Sequence, residues 1–140
     1  MSGIAGMLRF GGQPVSRSEL DRVANALRAH GPDRSDVSIS GSTGFVHVLM
    51  RMTPEDRADH QPYRGQSGAM ITADLRLDNR EDILRRIGLS NQDAMTWPDS
   101  RVLLSAWERL GDAVWPMLRG PFAAAIWNPQ QRLLTLARDH

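Results

Sequence analysis

The chain has 140 residues, 41% of them hydrophobic and 24% charged, with 17 basic side chains against 16 acidic ones and a net charge of +1. It contains no cysteine and no lysine, which excludes disulfides, cysteine-ligated zinc, a thiolate nucleophile, a lysine-bearing phosphate loop and Schiff-base chemistry. The near-zero charge removes any bulk electrostatic case for nucleic acid or an anionic membrane, and no apolar run approaches the ~20 residues that span a bilayer. The opening MSGIAGMLRFGG lacks the basic start and long apolar core of a signal peptide, so the expectation is one soluble cytoplasmic domain over residues 1–140.

Taken in order, Ile4 to Phe10 is an apolar run closed by Gly11-Gly12, which predicts a buried strand. Ser16 and Glu19 have the spacing of a capping box. The helix they open places Leu20, Val23, Ala24 and Leu27 on one face and stops at Gly31-Pro32. Val37 to Ser40 and Phe45 to Met50 read as strands around a turn built on Gly41, Ser42 and Gly44. Thr53 to Ser67 is a charged, proline-bearing loop. Ala69 to Ala73 is a strand continuing towards Leu77 with a bend near Asp74.

Asp78 is then placed to cap a helix carrying Ile83, Leu84 and Ile87, ended by Gly88. After the polar stretch Ser90 to Pro98, Asp99 opens a helix with Val102, Leu103, Ala106 and Leu110 on one face, stopping at Gly111. Trp115 to Leu118 predicts a further helical turn. Phe122 to Trp127 and Arg132 to Ala137 flank a turn and read as a hairpin. This order of elements predicts an α+β domain, sheet packed on helices. A core strand running out at Ala137-Arg138-Asp139-His140 predicts a fragment of a longer protein.

Few residues offer chemistry. Ser2 stands where a nucleophile could use its own α-amine as base, since that amine titrates near ~7.7–8.0, and Gly3 and Gly6 permit close backbone approach. The pattern alone equally fits a glycine-tolerant strand start. His30, His47, His60 and His140 show no metal-ligand spacing. Each reads as a satisfied or solvated histidine, and no metal is expected. Asp99 needs no explanation beyond capping its helix, but it could present its carboxylate to a bound amine. Trp97, Trp107, Trp115 and Trp127 read as core or interface residues.

Together these segments resemble the N-terminal glutaminase domain of asparagine synthetases, a class II glutamine amidotransferase module. MSGIAG is similar to that family's CGIAG opening, and HGPD at His30 to Asp33 to its RGPD turn. The stretch ending in HQPY is similar to its GHxRL…QPM segment, and DNREDIL to the region after its NGEIYN turn. PDSRVLLSAWERLG through LRGPFAAAIWNPQQRLLTLARDH is similar to its SDTEVLL…LRGMFAFALWD…LARDR. The resemblance implies an N-terminal-nucleophile αββα sandwich, incomplete at its C-terminus.

It also implies site positions. Ser2 falls on the catalytic cysteine, Leu49 on the glutamine-binding arginine, and Asp74-Leu75 on the Asn-Gly pair of the pocket and oxyanion site. Asp99 falls on the aspartate that holds the glutamine amine. Serine is the weaker nucleophile, leucine cannot bind a carboxylate, and an aspartate opposes an oxyanion. The expected function is therefore a catalytically silent glutaminase-like domain of an ATP-dependent amide-forming ligase.

RMTPEDRADHQPY and ADLRLDNR resemble the lasso peptide cyclase branch, which closes a macrolactam on a precursor peptide. The implied partners are the protein's own C-terminal synthetase domain, a precursor peptide and a partner peptidase, with no nucleic acid and no membrane. No cofactor is expected in these residues; ATP and magnesium belong to the synthetase domain. The alternatives are an active amidohydrolase using Ser2, and a glutamine-hydrolysing asparagine synthetase whose cysteine has become serine. A domain serving only as a docking face is a further alternative.

Overall fold

A computed structural model describes residues 2–52 and 54–140; Met1, and Thr53 at the head of the predicted loop, lie outside them. Seven strands and three α-helices follow one another as β1 (Gly3–Leu8), α1 (Arg17–Leu27), β2 (Arg34–Ser40), β3 (Thr43–Leu49), β4 (Tyr63–Arg64), β5 (Met70–Leu75), α2 (Arg80–Arg86), α3 (Asp99–Leu110), β6 (Phe122–Asn128) and β7 (Leu133–Arg138). The strands form two antiparallel sheets, one ordered β1-β3-β2 and the other β4-β5-β6-β7.

Alternation along the strands sets the layers. Val46 and Val48 of β3 pack on Leu20 and Ala24 of α1, while Phe45 on the opposite face meets Met70, Ala125 and Trp127 of the second sheet. The other face of that second sheet, through Ala69, Ile71, Ala73, Ala124 and Ile126, packs on Ile83 and Leu84 of α2 and Val102, Leu103 and Ala106 of α3. The order through the domain is helix, sheet, sheet, helices. The α+β expectation holds.

The capping box forms as predicted: Ser16 Oγ accepts the Glu19 N–H while the Glu19 carboxylate accepts the Ser16 N–H. Hydrogen bonds from the Ser16 side chain, then from Arg9, hold the Glu19 carboxyl down at about 2. Two other caps differ from expectation. Asp78 precedes Asn79, the actual N-cap of α2, and its carboxylate instead pairs with Arg76. Asp99 is the first residue of α3, after the N-cap Pro98, and its carboxylate satisfies a backbone amide elsewhere in the chain. The β2–β3 turn is also tighter than predicted, because Gly44 is already inside β3.

HGPD owes its glycine to contact rather than to a turn. A Cβ on Gly31 would lie 2.3 Å from the carbonyl carbon and oxygen of Val48, so only glycine lets the two backbones meet. Asp33 then closes the end of β3: its N–H donates to the Leu49 carbonyl, and its carboxylate accepts the Arg51 N–H.

Leu20 is fully buried beneath α1, against Gly44. Leu20→Ala should cost ~2–5 kcal/mol, read as a lower urea midpoint with an unchanged slope.

Candidate functional site

Antiparallel pairing brings the start of β1 beside the end of β3, with Gly3 opposite Val48. The facing sheet brings the end of β5 to the same place. There the Ser2 N–H donates to Asp74 Oδ1 at 3.1 Å, and Ser2 Oγ accepts the Met50 N–H at 3.2 Å. The chain start is thus held at two points. Among the described residues no carboxylate or imidazole hydrogen-bonds the Ser2 hydroxyl; the nearby Asp74 carboxylate is engaged by the Ser2 N–H instead.

Of the other predicted positions, Leu49 is buried to 3% exposure at the end of β3, and its side chain offers neither charge nor hydrogen bond. Asp74 and Leu75 part company because consecutive strand residues face opposite ways. Asp74 reaches Ser2, whereas Leu75 packs towards the core beneath α3. Asp99 is occupied. Its Oδ2 accepts the Leu77 N–H at 2.8 Å, and its Oδ1 pairs with Arg80 Nη1 at 2.6 Å. The second Arg80 terminal nitrogen donates to the carbonyls of Ala94 and Trp97 at 2.7 and 2.8 Å. None of the Asp99 hydrogen bonds goes to Ser2 or Asp74.

Sequence reasoning missed what steadies this end of β5. Buried Gln61 pairs with both backbone groups of Ala73: Oε1 accepts its N–H at 2.6 Å and Nε2 donates to its carbonyl at 2.9 Å. Gln61 also donates to Asp59 Oδ2, and Ser100 at the head of α3 donates to Asp59 Oδ1. This polar chain ties α3 to the residue before Asp74. A glutamine 12 residues away in a proline-bearing loop gives no periodic signal that would reveal it. Arg80 was likewise read only as part of a helix start.

Against this geometry the comparisons are decisive. A family model for the glutamine amidotransferase domain matches residues 1–140. The chain belongs to that family. Similar proteins include the glutamine-hydrolyzing asparagine synthetase 3 of Bacillus subtilis, 28% identical over 144 residues, covering 99% of this chain and 23% of that protein. The glutamine-hydrolyzing asparagine synthetase 2 of Oryza sativa subsp. japonica is 23% identical over 125 residues, covering 89% of this chain and 21% of that protein. The chain is thus a glutamine amidotransferase domain of asparagine synthetase-like type. It spans from 19% to 30% of the length of the relatives it matches.

Within this amidotransferase domain His47 lies buried in the middle of β3, at 3% exposure. Burial pushes its pKa below the ordinary 6.5, outweighing the opposing pull of Asp59, hydrogen bonding to the Ala73 backbone, and the carboxylates of Asp74 and Asp36. No group of three or more His, Asp or Glu side chains among the described residues has the geometry to hold a metal.

Two measurements check this layer. Gln61→Ala removes two buried hydrogen bonds to the Ala73 peptide and should cost ~1–3 kcal/mol in chemical denaturation. Burial disfavours the charged form of His47 in the folded domain, while the unfolded histidine takes its proton near 6.5. The stability from its burial is therefore whole above pH 6.5 and drains away as pH falls towards the depressed folded value. His47→Leu should flatten that loss in urea titrations between pH 7.5 and pH 5.

Proposed function

We propose that this glutamine amidotransferase domain does not hydrolyse glutamine, and that it serves as the scaffold half of a longer ATP-dependent amide-forming ligase. The observation that carries the reading is the state of Asp99. Within the family resemblance this carboxylate would meet the ammonium of the glutamine substrate, and here both its oxygens are engaged by the protein itself. The other positions support the same reading. Ser2 replaces a thiol, and its hydroxyl oxygen accepts the Met50 N–H where a nucleophile would need a base to take its proton. Leu49 supplies no cation for a carboxylate. Asp74 sets a negative charge beside Ser2, where an oxyanion would need donors.

A domain without ammonia to supply suits a ligase whose amine is already part of the substrate. The sequence features RMTPEDRADHQPY and ADLRLDNR favour the lasso peptide cyclase branch. In such a parent a C-terminal synthetase domain would bind ATP and magnesium, and adenylate a carboxylate of a precursor peptide for attack by the peptide's own amine. The amidotransferase domain would contribute its contacts to that synthetase domain, and a face for the precursor peptide or its peptidase. The parent would act in the cytoplasm.

Ammonia release from L-glutamine, coupled to glutamate dehydrogenase, tests the reading. The wild-type domain should show no release above a Ser2→Ala control, and Ser2→Cys should restore none. Release that disappears with Ser2→Ala would establish an active serine amidohydrolase. Release restored by Ser2→Cys would point to an asparagine synthetase that has lost only its thiol.

A further inference from the structure

Arg80 pairs with the carboxylate that the family resemblance assigns to a substrate ammonium. Its guanidinium meets the Asp99 carboxylate at 2.6 Å with both side chains about three-quarters buried, at 21% and 25% exposure. It is fixed there by two backbone carbonyls, those of Ala94 and Trp97. The other carboxylate oxygen is taken by the Leu77 N–H. This arrangement differs from the exposed pairs Arg17–Asp21 and Arg85–Asp82, each more than half exposed on both sides. Such exposed pairs are worth little and exchange freely with water. Arg80 instead forms a largely buried pair, with one donor on each Asp99 oxygen, so an incoming cation competes with a charge already in place.

Resting on the degenerate amino-acid pocket proposed above, we infer that Arg80 is a built-in occupant of its amine subsite, closing Asp99 to ligand ammonium groups. It acts as a specificity residue, and not merely as a strut between α2 and the loop before α3. A strut would need the two carbonyl contacts; exclusion of an amine needs the guanidinium charge held against Asp99. The two roles separate in Arg80→Gln. The glutamine amide can still donate to a carbonyl of the 94–97 loop, but it carries no charge to neutralise Asp99.

The inference also fixes the ligand class. With Leu49 buried and uncharged at the end of β3, and Asp74 anionic at the end of β5, an opened subsite favours an amine whose carboxyl is blocked over a free amino acid. L-glutaminamide is accordingly the better probe than L-glutamine.

Two-dimensional amide NMR with L-glutaminamide tests this. In Arg80→Gln the probe should shift the Leu77, Asp99 and Ser100 resonances saturably, at concentrations roughly tenfold or more below any that perturb them in wild type, where no saturable shift is expected. L-glutamine should bind the variant more weakly than L-glutaminamide, and adding Asp99→Asn to Arg80→Gln should abolish the response. A folded Arg80→Gln that responds no more than wild type overturns the inference. Saturable binding to the wild-type domain at Leu77 and Asp99 overturns it too, and that arm needs no variant to fold. The proposal of silence fails separately, by Ser2-dependent ammonia release, whereas an unresponsive Arg80→Gln leaves it standing.

Discussion

Strand β3 is covered on both faces, and the rest of the domain is arranged around that constraint. All seven of its residues are buried. One face lies under α1, the other against the second sheet, and its two edges pair with β1 and β2. A strand so enclosed must satisfy its backbone N–H and C=O groups internally. Burial disfavours the charged form of His47 in the seam, and Thr72 of the second sheet donates its hydroxyl to the Val46 carbonyl across the gap. Asp33 and Gly31 close the strand where it leaves the core.

The site is a consequence of that closure. Because β1 pairs with β3 in antiparallel register, the chain start must sit beside the exit of β3, and the facing sheet delivers β5 to the same end. Any chemistry performed there would need unpaired donors, a base and a receptive carboxylate. The described residues instead pair Asp74 with the Ser2 amide, give the Ser2 oxygen to the Met50 amide, and join Asp99 to Arg80 and Leu77. These contacts pair the polar groups at this end of the two sheets with one another.

Much of the architecture was legible in the residues. The capping box at Ser16 and Glu19, the amphipathic faces of α1 and α3, and the hairpin after Phe122 are local features, and local spacing reveals them. The caps assigned to Asp78 and Asp99 were local guesses that failed for one reason. A side-chain oxygen near a helix start accepts the best donor in space, and here those donors are Arg76 for Asp78, and Leu77 with Arg80 for Asp99. Asp74 and Leu75, neighbours in sequence, meet different surroundings because the alternation of a strand sends them to opposite faces.

By itself the sequence determined the family, the order of elements, and the absence of a thiol, of lysine and of a cation at position 49. These follow from residue identity, which no folding can alter. Only the tertiary structure decided which polar groups remain available. Ser2 and Asp74 are 72 positions apart, and Arg80 and Asp99 are 19 apart. Whether a carboxylate is a binding site or half of an internal ion pair depends on what lies within about 3 Å of it, and packing, not spacing along the chain, sets that distance.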